Sequence, residues 1–303
     1  MTVMDKSNKL IVIVGPTAVG KTEFALRVAE KFRCPIISAD SRQVYRELKI
    51  GTAAPTEEQL ARVKHYLVGH RSITNYYSAW EFEQDVMTLL ETLFEEHKYV
   101  VMTGGSMMYI DAVCNGIDEM PTISDDVRQR VWAMYEQNGL EHVQGLLKTL
   151  DPEFYDVVDL KNAKRVIHAI EICMQSGTTY TSLRTNSYKE RPFGMVKVGI
   201  ERERQELFDR IDARVEQMIA YGLEQEAKTY YPQRNLNSLN TVGYKEMFQY
   251  FDGDIDLAEA IRLIKRNTHR YAKKQMTWFK LRGEYQWLDA NNCSPEDIII
   301  DAK

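Results

Sequence analysis

Cysteine is scarce and scattered. Cys34, Cys114, Cys173 and Cys293 are the four among 303 residues, and no two form a C-x-x-C pair. That spacing suggests neither a zinc site nor a disulfide framework, and it fits a reducing, intracellular setting. No apolar run approaches the roughly eighteen residues that a membrane helix needs. The N-terminal Met1-Thr2-Val3-Met4-Asp5-Lys6 has no signal core either, so a soluble, cytoplasmic protein without a membrane partner is expected. Excess positive charge is missing too. The formal balance is -5, which counts mildly against a nucleic-acid partner, because phosphate backbones attract basic surfaces. Internal repeats and low-complexity segments are absent.

What is present is enough apolar content, 44%, to bury a core in one large domain or two smaller ones. The first third alternates strand-like and helix-like segments, as an α/β domain with a parallel sheet does. Strands are expected near 10–14, 35–39, 65–68 and 99–103, with a helix over 80–97. A further strand is expected at 195–200 and a last one at 285–288. Between 116 and 192 the pattern is helical. Asp125 ends a loop as an N-cap, Asp151-Pro152 opens a short helix, and a helix over 162–175 is closed by Gly177. An all-helical block between two strands of one sheet reads as an insertion. The expected domains are therefore a core of 1–115 plus 193–303 and an inserted helical subdomain of 116–192.

The eight residues Gly15, Pro16, Thr17, Ala18, Val19, Gly20, Lys21 and Thr22 match G-x-x-x-x-G-K-[ST] between the first strand and a helix. In that motif backbone amides curl round a diphosphate, the lysine reaches its outer oxygens and the threonine hydroxyl is free for Mg²⁺. Asp40, at the carboxyl end of the second strand, should face the loop across the ligand crevice. It is either a base or a turn aspartate. A nucleotide-hydrolysing enzyme would carry a metal-binding acid after a later strand. Here Met102 is followed by Thr103-Gly104-Gly105-Ser106. The glycines suit either a close backbone approach to a ligand, with Thr103 or Ser106 donating a hydrogen bond, or a tight turn into a helix. Between Arg262 and Arg282 lie Lys265, Arg266, His269, Arg270, Lys273, Lys274 and Lys280 without one acidic residue. By itself that run reads as a solvated helix face.

These residues together resemble the tRNA dimethylallyltransferases, or tRNA isopentenyltransferases, of the bacterial type. The resemblance runs through the phosphate loop, Ser38-Ala39-Asp40-Ser41-Arg42-Gln43-Val44-Tyr45-Arg46, Ile50-Gly51-Thr52-Ala53-Ala54-Pro55-Thr56, Tyr77-Ser78-Ala79 with Phe82, and Gly104-Gly105-Ser106 with Tyr109. It continues in Asn162-Ala163-Lys164-Arg165 with Glu171, Thr241-Val242-Gly243-Tyr244-Lys245-Glu246, and Tyr271-Ala272-Lys273-Lys274-Gln275 with Thr277-Trp278-Phe279. It implies a P-loop-type parallel sheet flanked by helices, with an inserted all-helical subdomain and a helical C-terminal part. It also implies transfer of the allyl group of dimethylallyl diphosphate to N6 of adenosine 37 beside the anticodon of tRNA, with release of diphosphate.

On that reading the loop residues, Lys21 and Mg²⁺ on Thr22 stabilise the leaving group, and Asp40 takes the amine proton. The resemblance gives Ser106 and Arg128 contacts to RNA. Arg210 and Arg214, four apart on one helix, either reach the diphosphate or form surface ion pairs. The base must be flipped out of its stack. Asp40, Ser41, Arg42 and Gln43, with Lys164, Arg165, Lys273 and Lys274, are the other expected RNA contacts, so that the inserted block and the basic helix grip an anticodon stem-loop from two sides. A monomer is expected. Ser106 replaces a more usual threonine and keeps the hydroxyl. Asn162 replaces aspartate and can still cap, and His65 reads as structural.

A small-molecule kinase would use the same loop for ATP, but it accounts for neither the missing acid nor the basic end. A transferase acting on free nucleotides has no use for the inserted block. A nucleotide-switched RNA-binding factor would bind GTP or ATP and consume no allyl diphosphate.

Overall fold

The computed structural model describes residues 5–185 and 188–300. These form two compact units, Met1–Cys114 with Glu190–Lys303, and Asn115–Lys189.

In the first unit six strands lie parallel in the order β3-β2-β4-β1-β5-β6. They are β1 (Lys9–Val14), β2 (Ile36–Ser38), β3 (His65–Tyr66), β4 (Tyr99–Gly104), β5 (Gly194–Glu201) and β6 (Gln286–Asp289). Each falls where the apolar runs predict one. Strand β1 is central and Leu10 to Val14 are fully buried, because a strand covered on both faces must be apolar at every position. Truncating Ile11 or Ile13 to alanine would cost about 2–5 kcal/mol. Val14 pairs with Gly104 of β4 and with Gly199 of β5, and Ser38 of β2 pairs with Thr103. The carboxyl ends of these strands are thus level, and the loops that follow them leave from one edge.

Helices cover both faces. Helix α1 (Lys21–Phe32) buries Phe24, Ala25, Val28 and Ala29 on one face, a helical period. After α2 (Glu57–Arg62), α3 (Ala79–Glu96) begins in a capping box: Ser78 accepts from the Glu81 amide and Glu81 from the Ser78 amide. Helix α4 (Met107–Asn115) follows β4.

The second unit contains α5 (Asp125–Leu150), broken at Gly139, α6 (Pro152–Val157), α7 (Ala163–Ser176) and α8 (Tyr180–Leu183) around their own apolar core. Ser124 caps α5, one residue before the expected Asp125, because its hydroxyl reaches the Val127 amide. Asn162 caps α7 through the Arg165 amide and Gly177 ends it in the left-handed conformation. At the base of the unit the Lys189 amide donates to the Asn115 carbonyl at 2.9 Å.

The chain returns to the first unit through Arg191, which is buried. Its guanidinium pairs with buried Glu83 of α3 at 2.6 Å and donates to the Ala112 and Val113 carbonyls at the end of α4. Helices α9 (Arg204–Ala220), α10 (Leu223–Tyr230), α11 (Tyr244–Asp252) and α12 (Leu257–Arg282) complete this unit. No described helix is long and apolar enough to cross a membrane.

Candidate active site

A cavity of about 900 Å³ opens beyond the carboxyl ends of the strands, within the first unit. Thr17, Ala18, Gly20, Lys21 and Thr22 of the phosphate loop line it, facing Asp40 and Gln43. Gly15, Pro16 and Val19 are buried behind them.

Helix α1 starts from Gly20 without a side-chain cap, so the amides of its first turn point into the loop without a protein partner from such a cap. Lys21 donates to the Pro16 carbonyl at 2.7 Å. Burial pushes its ammonium down from the usual 10.5 to about 7; Arg214 adds to this by repulsion, while Asp40 pulls the other way. Arg214 is itself lowered by burial and by Arg210. Neither Lys21 nor Arg214 forms an ion pair among the described residues.

Three arginines shape the loop from outside. Arg202 donates to the Val19 carbonyl, Arg210 to the Ala18 carbonyl at 2.9 Å, and Arg214 to the Thr17 hydroxyl at 3.5 Å. Arg210 is also without an ion pair among the described residues, so the alternative of surface ion pairs does not describe this couple. Ala18 is held at φ 63, a conformation unusual for a residue with a Cβ. The cradle thus gathers N–H donors with the cations Lys21, Arg210 and Arg214, none of which is ion-paired among the described residues, whereas Arg202 pairs with Glu206.

Across the crevice Asp40 lies two residues beyond the end of β2. Its Oδ1 accepts from the Arg42 and Gln43 amides at 2.9 and 3.2 Å, the geometry of a turn aspartate. Its Oδ2 has no hydrogen-bond partner among the described residues. The two expectations for Asp40 are therefore compatible, one per oxygen. Ser41 and Ser106 are paired: the Ser41 amide donates to the Ser106 hydroxyl at 2.7 Å, which donates to the Ser41 hydroxyl at 3.0 Å. Ser106 is buried, so its hydroxyl holds the Asp40 turn rather than facing the cavity. The Thr103 hydroxyl is likewise committed, to the Ile13 carbonyl. Gln43 donates to the Thr52 and Ala53 carbonyls and accepts from Ser38, and Arg42 donates to the Asn237 carbonyl.

The glycine pair has a reason that the sequence did not disclose. A Cβ on Gly104 would lie 2.0 Å from the Ala39 carbonyl oxygen, and one on Gly105 would lie 2.3 Å from Gln275 Nε2. The close approach they permit is to the protein itself.

Two further residues were not anticipated. Gln275 on α12, 1% exposed, accepts from the Thr17 amide at 2.9 Å and donates to the Gly105 carbonyl at 2.9 Å. One loop amide expected to hold phosphate is therefore already bonded. Glu226 on α10 accepts from the successive amides of Lys49, Ile50 and Gly51 and from the Tyr244 hydroxyl at 2.6 Å. It fixes the loop that forms the far wall of the cavity. The only signal for either was the presence of Gln275, Gly51 and Tyr244 in the motifs.

The cations expected to meet RNA fall into two kinds. Arg128 on α5 lies 3.8 Å from Glu171 of α7, a buried carboxylate. Lys164 and Arg165 are exposed in the first turn of α7 without an ion pair among the described residues. Cations there oppose the helix dipole, so local stability does not explain them. In α12, Lys265 pairs with Glu216, His269 with Asp212 at 2.8 Å and Lys280 with Glu201 at 2.7 Å. Lys273 lies over the Phe208 ring. Arg270 and Lys274, four apart, are exposed and form no ion pair among the described residues. Part of the basic run is therefore internal packing and part is a free basic face. His65 bonds the Val63 carbonyl through Nδ1.

The chain matches the family model described as IPP transferase over residues 43–282. It is 58% identical over 279 residues to tRNA dimethylallyltransferase 1 of Phocaeicola vulgatus, covering 92% of this chain and 93% of the relative. Among solved structures, a full-length tRNA isopentenylpyrophosphate transferase from Bacillus halodurans is similar with a TM-score of 0.68 and 35% identity, over 93% of this chain and 90% of that one. A eukaryotic dimethylallyltransferase acting on tRNA shares the fold with a TM-score of 0.74 at 24% identity, over 93% of this chain and 74% of that one. With most of its length matched in sequence and in fold, this chain belongs to the IPP transferase family.

Proposed function

We propose that the protein transfers the dimethylallyl group of dimethylallyl diphosphate to N6 of adenosine 37 in tRNA, releasing diphosphate. The names borne by its relatives support the reading. The observation that carries it here is the pair Lys21 and Arg214, two cations held at a helix N-terminus without a carboxylate partner and aimed at one cavity.

In the reaction the allylic C–O bond breaks with its electron pair passing to the diphosphate, and a bond forms from N6 to that carbon. Charge builds on the departing oxygens, where the α1 amides, Lys21 and Arg214 meet it. The amine of adenine is a poor nucleophile until its proton is accepted, and Asp40 Oδ2 is the uncommitted oxygen for that proton. Oδ1 keeps the turn in place meanwhile.

Mg²⁺ takes only one or two protein oxygens beside phosphate oxygens and water. No described group of three His, Cys, Asp or Glu side chains could hold a metal by itself. The exposed Thr22 hydroxyl in the cavity wall suits an ion carried mainly by the diphosphate, whose charge it would offset. The flipped base enters from the rim, where the ring of Tyr271, 36% exposed, donates its hydroxyl to the Gly105 carbonyl. Lys164, Arg165, Lys273 and Lys274 contact RNA phosphates.

Incubation with labelled dimethylallyl diphosphate, Mg²⁺ and unmodified tRNA tests the reading. Label should enter tRNA at adenosine 37. ATP consumption without label transfer would replace this reading with a kinase.

A further inference from the structure

The donor loop and the acceptor turn are joined by a continuous polar path. The Thr17 amide donates to Gln275 Oε1, and Gln275 Nε2 donates to the Gly105 carbonyl. The next residue, Ser106, holds Ser41 through both its amide and its hydroxyl, and its own amide donates to the Ala39 carbonyl at 3.2 Å. Ser41 follows Asp40 directly. Every link in this path is 2.7–3.2 Å long.

We propose that Gln275 is a positioning residue for the transfer reaction, setting the separation between the loop that holds the diphosphate and the turn that carries Asp40. This rests on the function proposed above. Three observations converge on it. The carboxamide is fully buried and uses a donor and an acceptor at once, which an apolar residue of similar size does not reproduce. Gly105 is bare so that Nε2 can come within bonding distance of its carbonyl. And Gln275 shares a helix with Tyr271, which donates to the same Gly105 carbonyl from the rim side. Strands β1 and β4 are adjacent, but the loops beyond them have no mutual ladder to fix their spacing. Gln275 supplies that missing link. Attack on carbon demands near-contact alignment, and misplacement by about 1 Å costs on the order of 100-fold.

The test compares the wild-type enzyme with Gln275→Met and Gln275→Glu, by transfer kinetics, stem-loop binding and thermal melting. Gln275→Met keeps the volume and removes both bonds. It should lower kcat by about 10- to 100-fold while stem-loop affinity is unchanged. Gln275→Glu keeps the acceptor for Thr17 but donates to Gly105 only when protonated. Its kcat relative to wild type should therefore rise as pH falls, and that of Gln275→Met should not. A kcat for Gln275→Met equal to wild type overturns the proposal. So does a Gln275→Glu enzyme that is folded and whose deficit does not vary with pH, because packing alone would then account for the residue. If Gln275→Met fails to fold, the pH profile of Gln275→Glu decides the matter, and failure of both to fold assigns Gln275 to stability and also overturns it. If the wild-type protein transfers no label, it is the function proposed above that fails.

Discussion

The Lys21 ammonium donates to the carbonyl of Pro16, five residues earlier in its own loop, at 2.7 Å. The lysine therefore closes the loop from which it springs, beside Arg214, which repels it. A diphosphate that displaces this contact gives the ammonium the counter-charge it lacks.

Proton uptake should accompany that exchange. With Lys21 lowered to about 7 from the usual 10.5, the free site is largely neutral above pH 8, and a bound polyanion restores the proton. Calorimetric titration with diphosphate at pH 8.5, in buffers of different ionisation enthalpy, should report uptake that vanishes near pH 6. In the folded protein the group binds fewer protons than in the unfolded chain between about 7 and 10.5. Its contribution to stability accordingly rises with pH through that window. Uptake of no proton at pH 8.5 would show that the ammonium is already charged.

Asp40→Asn and Asp40→Ala should differ. Asparagine keeps an oxygen for the Arg42 and Gln43 amides but is no base, so turnover should fall by about 10²–10⁴-fold with the melting temperature nearly intact. Alanine also strips the turn and should cost about 1–3 kcal/mol more stability. Full turnover in Asp40→Asn, measured by label transfer at saturating tRNA, would remove Asp40 from the chemistry.

The basic helix offers an internal control. Replacing Lys273 and Lys274 by glutamine should reduce the slope of log affinity for stem-loop RNA against log salt by about 1.4–1.8. Replacing Lys265, which is engaged by Glu216, should leave that slope alone. Equal slopes for both variants would return the whole run to a solvated face.

Arg191→Met should destabilise the protein by about 3–5 kcal/mol, since it breaks the buried ion pair with Glu83 and removes the bonds to the Ala112 and Val113 carbonyls. The double variant with Glu83→Leu should recover part of the loss in chemical denaturation. A single variant as stable as wild type would mean that Glu83 is compensated elsewhere.

How legible the molecule is in its sequence depends on the range of the interaction. The six strands, the phosphate loop and the capped ends of α3 and α7 follow from local patterns, because burial period and cap chemistry are written within a few residues. The contact of Gln275 with Thr17 spans 258 positions and leaves no periodic trace. The same holds for Glu226 gathering the amides of Lys49 to Gly51, and for Ser106 turning its hydroxyl to Ser41. Gly104 and Gly105 are visible as glycines, but the neighbours that require them come from Ala39, just after β2, and from α12. Within the basic run, composition could not separate Lys265 from Lys274. Only the acids of α9 do that.

The bond from Lys189 to Asn115 has a bearing on engineering. Entry and exit of the helical unit lie side by side, so the unit is a cassette on a single stem. Substitution of residues 116–188 by a short turn would leave the six-stranded sheet, its cradle and its buried arginine uninterrupted. On the function proposed above, such a trimmed chain should still take up diphosphate in the cavity of the first unit while its affinity for stem-loop RNA falls.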